Sequence, residues 1–166
     1  MIYRDLIEQA FATAALKLSG QPMHAGFYVD REIKLHLDQE LDEFFRSFLE
    51  TKTGIPVFSE ESLGADPYVG KCWIVDPLDG SLNYSRGIPF FTSSIALFDH
   101  GQPIAGFIYD YSRSDTYCGE VGAGALLNGH KIAVSTRPIE EGLKAVGIPS
   151  HSNVNESMRM FLSSMD

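Results

Sequence analysis

Apolar residues near the start of the chain recur at three- and four-residue steps: Ile2, Leu6, Ile7, Ala10, Phe11 and Ala14. That period describes one face of a helix, and Gly20 and Pro22 supply its stop. A second helix is predicted from about Asp38. Its apolar stripe is Leu41, Phe44, Phe45, Phe48 and Leu49, with Glu40, Asp42, Glu43 and Arg46 between, and Gly54 and Pro56 end it. The aromatics in this stripe read as core packing rather than a cofactor box.

After Pro56 the pattern changes to short β-favouring runs. Val57 to Ser59 and Cys72 to Val75 each lead directly into carboxylates. Phe91 to Phe98, Ile104 to Tyr109 and Thr116 to Val121 are separated by Asp99-His100-Gly101-Gln102 and by Ser112-Arg113-Ser114. These spacers have hairpin chemistry, so an antiparallel meander is expected. Asn128-Gly129 marks a tight turn before a strand at Ile132 to Val134, and Leu143 to Ile148 reads as another strand. Asn153 or Asn155 can cap a final helix bearing Val154, Met158, Phe161, Leu162 and Met165. That helix has no glycine cap before Asp166, which leads us to expect a docked or shortened end.

Composition narrows the function classes. The 166 residues suit one domain better than two, and 44% hydrophobic against 21% charged excludes a disordered tail. With 22 Asp and Glu against 13 Lys and Arg, the formal charge of −9 repels phosphate backbones and anionic lipid. Neither nucleic acid nor a membrane is therefore expected as a partner. Apolar runs fall far short of the roughly 20 residues that cross a bilayer, and Arg4 and Asp5 interrupt any signal-like start. Cys72 and Cys118 form no Cys-x-x-Cys pair and read as small core residues in a reducing, cytoplasmic setting.

The chemistry concentrates in Trp73-Ile74-Val75-Asp76-Pro77-Leu78-Asp79-Gly80-Ser81-Leu82-Asn83. A strand delivers Asp76 to its end, and Pro77 withholds a ladder donor, so a turn is expected there. Asp79, three residues on, would then lie on the same side as Asp76. At about 5 Å and an effective dielectric of about 20, two such anions repel by about 3 kcal/mol. A bound divalent cation, or protonation of one carboxyl, relieves this. Oxygen-only donors without clustered His or Cys favour Mg²⁺ or Mn²⁺ over zinc. Gly80 allows close approach of backbone N–H groups to an anion, and Ser81 adds a hydroxyl. An ordinary Asp-Pro-x-Asp-Gly turn, with Asp79 as an Asx-turn residue, accounts for the same letters. A second acidic group, Glu60-Glu61 before Ser62, also follows a short strand, and Asp38 stands near the expected start of the second helix, where an acid suits the dipole.

Glu60-Glu61-Ser62 and the Asp76-Pro77-Leu78-Asp79-Gly80 core together resemble the signature of the inositol monophosphatase family. The likeness extends through Tyr84, Gly87, Ile88 and Pro89, then Gly106-Phe107-Ile108-Tyr109-Asp110, Gly122-Ala123-Gly124-Ala125 and Asn128-Gly129. It implies an α+β fold, the N-terminal half of the layered α/β sugar phosphatases, with two helices on a mainly antiparallel sheet. Residues 1–142 would form the metal-binding domain, and 143–166 the start of a truncated C-terminal domain. The activity implied is Mg²⁺-dependent, lithium-sensitive phosphomonoester hydrolysis by a metal-activated water, with two or three ions. Glu60, Asp76, the Leu78 carbonyl and Asp79 match metal-ligand positions. Asp79, Gly80 and Ser81 match phosphate contacts, and Asp38, Glu60 and Ser81 match residues that act on the attacking water. Such ions would also let an acidic protein attract an anionic substrate.

Inositol monophosphate is the expected substrate, with fructose 1,6-bisphosphate or 3′-phosphoadenosine 5′-phosphate as alternatives. A homodimer is also an expectation, since family members are commonly dimers. Ser59 stands where the family has glycine, Ser81 where it has threonine, and Ile33-Lys34-Leu35-His36-Leu37 lacks the usual Thr-x-x-Asp before Asp38. The only tryptophan is Trp73, so the family's downstream Trp-Asp-x-Ala motif is absent, and an inactive fragment acting through protein contacts is the competing reading. His24, His36, His100, His130 and His151 show no metal-ligand spacing. Gly119 to Gly124 has a dinucleotide-like glycine rhythm but no βαβ context, so it reads as a turn. Lys34 and Arg86 are expected to face solvent.

Overall fold

Helix α1, Arg4–Ser19, buries Ile7, Ala10, Phe11, Ala14 and Leu18, a stripe at helical spacing. Ile2, part of the periodic series, precedes the helix and is exposed. The structure is a computed structural model describing residues 1–19, 31–59, 70–136 and 138, with the backbone alone described for 31–35. The expectations on Gly20, Pro22, His24, the Lys34 side chain, Glu60 to Ser62, the 142–143 boundary, the Leu143 strand, His151 and the final helix lie outside the described residues.

Helix α2 spans Arg31–Thr53, so it begins about two turns before the expected start at Asp38. Leu37 explains part of the extension, because it continues the four-residue row Leu41, Phe45, Leu49 into the core. No Gly or Pro interrupts the segment. Gly54 ends it with φ 67° and an N–H donated to the Glu50 carbonyl at 2.8 Å, the left-handed stop that glycine adopts without strain.

Among the described residues, seven strands form one sheet in sequence order: β1 Val57–Ser59, β2 Lys71–Asp79, β3 Thr92–Asp99, β4 Gln102–Asp110, β5 Asp115–Glu120, β6 Gly124–Leu127 and β7 His130–Ile132. β1 is parallel to β2, and every later neighbour is antiparallel. His100 and Gly101 (φ 47° and 75°) and Asn128 and Gly129 (φ 50° and 82°) make the two tightest turns, as those residue pairs favour. β6 was not expected. Gly122 and Gly124 both take positive φ, so the glycine rhythm makes the turn and then opens a strand whose Ala125, Leu126 and Leu127 pair with β5. β7 is shifted toward the turn and ends at Ile132 rather than Val134.

Both long helices contribute to one apolar cluster with Trp73, Val75, Leu78, Ile95, Leu97, Ala105, Phe107 and Cys118 from the sheet. Phe11 stacks on Tyr109 at 5.5 Å and meets Phe45 edge-on at 6.3 Å. The expected α+β arrangement, helices on a mainly antiparallel sheet, is what forms. Residues Met1–Ala133 make one compact unit and Val134–Asp166 another.

The indole of fully buried Trp73 donates from Nε1 to Thr53 Oγ1 at 3.1 Å, and the same hydroxyl donates to the Leu49 carbonyl at 2.7 Å. Thr53→Val keeps the shape and orphans the indole N–H. It is expected to cost about 1–2 kcal/mol, read as a lower urea midpoint at constant m.

Candidate metal and phosphate site

β2 does not end at Val75. It runs through Pro77 to Asp79, and its pairing with β3 slips: Asp76 opposes Ser94, while Asp79 opposes Thr92. Three steps on β2 therefore match two on β3, which is a bulge. The expected turn at Pro77 is corrected to this bulge, because an unpaired bulge position asks no N–H of proline. The Pro77 carbonyl instead accepts the Ser93 hydroxyl. On a regular strand, residues three apart face opposite ways. Here Asp76 and Asp79 sit opposite Ser94 and Thr92, which are two apart and so share a face. They lie on the face away from Val75 and Ile95, about 7 Å apart by strand rise. At an effective dielectric of about 20 their repulsion is about 2 kcal/mol, and it is less where solvent reaches exposed Asp79.

Gly80 follows with φ 81° and leads into the short helix α3, Ser81–Ser85. A Cβ at Gly80 would lie 2.7 Å from the Phe90 carbonyl oxygen, so only glycine fits here. Asn83 Nδ2 donates to that same carbonyl at 2.8 Å. Asp79, Gly80, Asn83, Phe90, Thr92 and Asp110 line a cleft of about 120 Å³. Thr92 and Asp110 entered no sequence-based site. They reach it through the register Asp79↔Thr92↔Asp110 across three strands, which becomes readable only once the β2 bulge is placed. Asp110 Oδ1 accepts the backbone N–H groups of Ser112 and Arg113 at 2.8 and 3.3 Å.

Asp38 is the eighth residue of α2, not a residue near its start. The helix dipole therefore gives Asp38 no support, since that effect is confined to the first turn. A different geometry places it. Val57 N–H donates to Glu50 Oε1 at 3.1 Å, Arg46 Nη1 donates to the Val57 carbonyl at 2.6 Å, and Arg46 Nη2 donates to Ser59 Oγ at 3.3 Å. The four-residue row Glu50, Arg46, Asp42, Asp38 thus runs antiparallel to β1. Asp38 sits about 12 Å beyond Arg46 along the axis, past the C-terminal end of β1. Asp42 Oδ2 lies 3.7 Å from Arg46 Nη2, and its buried Oδ1 has no hydrogen-bond partner among the described residues. Ser59 pairs with Val75, so β1 ends level with the residue preceding Asp76.

Among the described residues no three His, Cys, Asp or Glu side chains gather tightly enough to hold a metal; Glu60 is outside them. The donors that are described, Asp76, Asp79 and the backbone of Leu78, are all oxygen and suit a hard cation. Buried Leu78 packs into the core, which anchors its main chain. His36, His100 and His130 are exposed, as is Arg86. Cys72 and Cys118 are buried, and burial pushes both thiols up.

A sequence model described as the inositol monophosphatase family matches residues 28–166. The chain belongs to the inositol monophosphatase family. A fructose-1,6-bisphosphatase/inositol-1-monophosphatase of Thermococcus kodakarensis is 32% identical over 132 residues, covering 80% of this chain and 50% of the relative. The extragenic suppressor protein SuhB of Bartonella henselae superposes with TM-score 0.68 at 27% identity, covering 82% of this chain and 56% of that one. An IMPase/NADP phosphatase solved with Mg²⁺ and phosphate superposes with TM-score 0.64 at 25% identity, over 76% of this chain and 51% of that one. The chain thus spans about half the length of the curated relatives it matches. Within the inositol monophosphatase family, its sheet and helices correspond to a part of the larger fold.

Proposed function

We propose that this chain carries the cation- and phosphate-binding part of a Mg²⁺-dependent phosphomonoesterase whose substrate is a small polyol or sugar phosphate. The carrying observation is the β2 bulge, which turns Asp76 and Asp79 to one face directly before Gly80. Relatives named inositol-1-monophosphatase and fructose-1,6-bisphosphatase support the reaction class. A neighbour solved with inositol monophosphate supports that compound as the first substrate to test, and fructose 1,6-bisphosphate as the second.

In this reading Asp76, Asp79 and the Leu78 carbonyl hold Mg²⁺, with Glu60 supplied from the segment after β1. When bound, such ions polarise phosphoryl oxygens and lower the pKa of coordinated water. Ser81 donates to a phosphoryl oxygen, and the backbone at Gly80 approaches it unobstructed by a side chain. Asp38, past the end of β1 on the α2 row, accepts a hydrogen bond from the attacking water. Mn²⁺ meets the same oxygen donors.

The test is phosphate release from inositol 1-phosphate and fructose 1,6-bisphosphate by the metal-stripped chain, with MgCl₂ then restored, with and without LiCl. Expected are no release in EDTA, release restored by Mg²⁺ and inhibition by Li⁺. Release that persists in EDTA would overturn the metal assignment. Mg²⁺ binding without turnover would favour the competing reading, in which the chain acts through protein contacts.

A further inference from the structure

Ser93 is a buried polar residue, with no exposure at all. Its hydroxyl has one proton and two partners, the Pro77 carbonyl and, at 2.6 Å, Tyr111 Oη. A carbonyl only accepts, so Ser93 donates to Pro77 and Tyr111 donates to Ser93. The phenol in this relay must stay protonated. Burial pushes its pKa far above the ordinary tyrosine value.

The relay has a rigid backing. Tyr111 stacks on Phe91 at 5.7 Å and meets Tyr109 edge-on at 4.9 Å. Phe91 meets Tyr84 edge-on at 5.0 Å, and Tyr84 Oη donates to the Leu18 carbonyl at 3.1 Å. A wall of rings from β4, the loop before β3 and α3 is thereby tied to the end of α1, and the relay points from it into the bulge. We propose that Ser93, oriented by Tyr111, is a positioning residue for the cation site, holding the Pro77 carbonyl so that the bulge presents Asp76 and Asp79 on one face.

The physical reason is the planar peptide. Fixing the Pro77 C=O fixes the plane that carries Leu78 Cα, with Asp76 one residue before Pro77 and Asp79 one residue after Leu78. Proline offers no N–H of its own to lock the bulge, so the lock comes from a side chain. Without the Ser93 hydroxyl, a buried carbonyl and a half-buried phenol both lose this partner, and the bulge gains freedom to slip toward regular pairing. In regular pairing Asp76 and Asp79 would face opposite sides of the sheet.

This inference rests on the metal reading above, and the test separates the two. The full chain and its variants are titrated with MgCl₂ by calorimetry, each well below its own unfolding midpoint. Trp73, three residues before Asp76 on β2, serves as a fluorescent reporter. Ser93→Ala is expected to raise the Mg²⁺ half-saturation concentration about tenfold. Tyr111→Phe, which keeps every ring contact, should raise it about threefold. Ser93→Thr keeps the hydroxyl and should restore binding to within about twofold of the wild type. If Ser93→Ala binds like the wild type, or Ser93→Thr is impaired as much as Ser93→Ala, the positioning role is overturned while the metal reading stands. Should Ser93→Ala not fold, unchanged binding in Tyr111→Phe overturns it equally. A wild-type chain that binds no Mg²⁺ overturns the metal reading and this inference with it.

Discussion

Asp76→Asn is expected to lower Mg²⁺-dependent phosphate release about 10³-fold, the loss of several kcal/mol of charge stabilisation at the phosphoryl group. The substitution keeps shape and removes one anionic donor from the bulged strand. Its second signature is thermodynamic. A cation that binds only the folded state raises the unfolding midpoint in proportion to RT ln(1 + [L]/Kd). The wild type should therefore melt higher in saturating MgCl₂ than in EDTA, while Asp76→Asn should melt at one temperature in both. Calorimetric scans of the two proteins in the two buffers check this. Undiminished phosphate release by the variant would sink the assignment of Asp76, whatever the family likeness.

The second large effect is expected at Gly80. Alanine there meets two separate penalties. A left-handed conformation costs a non-glycine residue about 1–2 kcal/mol. The added Cβ also falls 2.7 Å from the Phe90 carbonyl oxygen and 3.2 Å from Phe91 Cα, both backbone atoms. Relieving that contact requires the segment carrying Phe90 and Phe91 to move, so the total should reach about 3 kcal/mol or more. For a chain of this size that is a fall of about 10 °C in Tm. Gly87→Ala is the control, because Gly87 has φ 67° and open space around its would-be Cβ. It should show the conformational penalty alone. Equal losses in the two variants would mean that the close approach at Gly80 is relaxed without cost. Phosphate release should fall in Gly80→Ala and persist in Gly87→Ala, since only the former shifts the chain beside Asp79.

The charge balance also bears on the proposed chemistry. A chain with net charge −9 has little lateral positive field for an anionic substrate. Asp79 and Asp110 line the cleft, while Arg46 is committed to the β1 backbone and to Ser59. Under the proposed function, the attraction for phosphate comes from cations that the carboxylates recruit.

Much of this was legible in the chain itself. Helical spacing located α1 and the buried row of α2, and turn chemistry at His100-Gly101 and Asn128-Gly129 marked the hairpins. Together with Glu60-Glu61-Ser62, the Asp-Pro-Leu-Asp-Gly segment carries the family resemblance, and each residue type in it answers a local demand: charge, a withheld N–H, or room for backbone. These are short-range properties, and sequence encodes short-range properties directly. The start of α2 was misplaced because Leu37 gains its helical role only from the core it enters. β6 was missed because two glycines read as a turn until a partner strand gives Ala125 to Leu127 somewhere to pair.

What tertiary structure alone decided was direction. Whether Asp76 and Asp79 face together depends on one slipped residue between β2 and β3, held by a serine on β3 and a tyrosine beyond β4. Asp38 likewise has its place past β1 because Arg46 and Glu50 dock the helix against that strand. Composition and spacing can name the carboxylates. The orientation of each is set by register and packing across distant segments, and neither is written in any one stretch of chain.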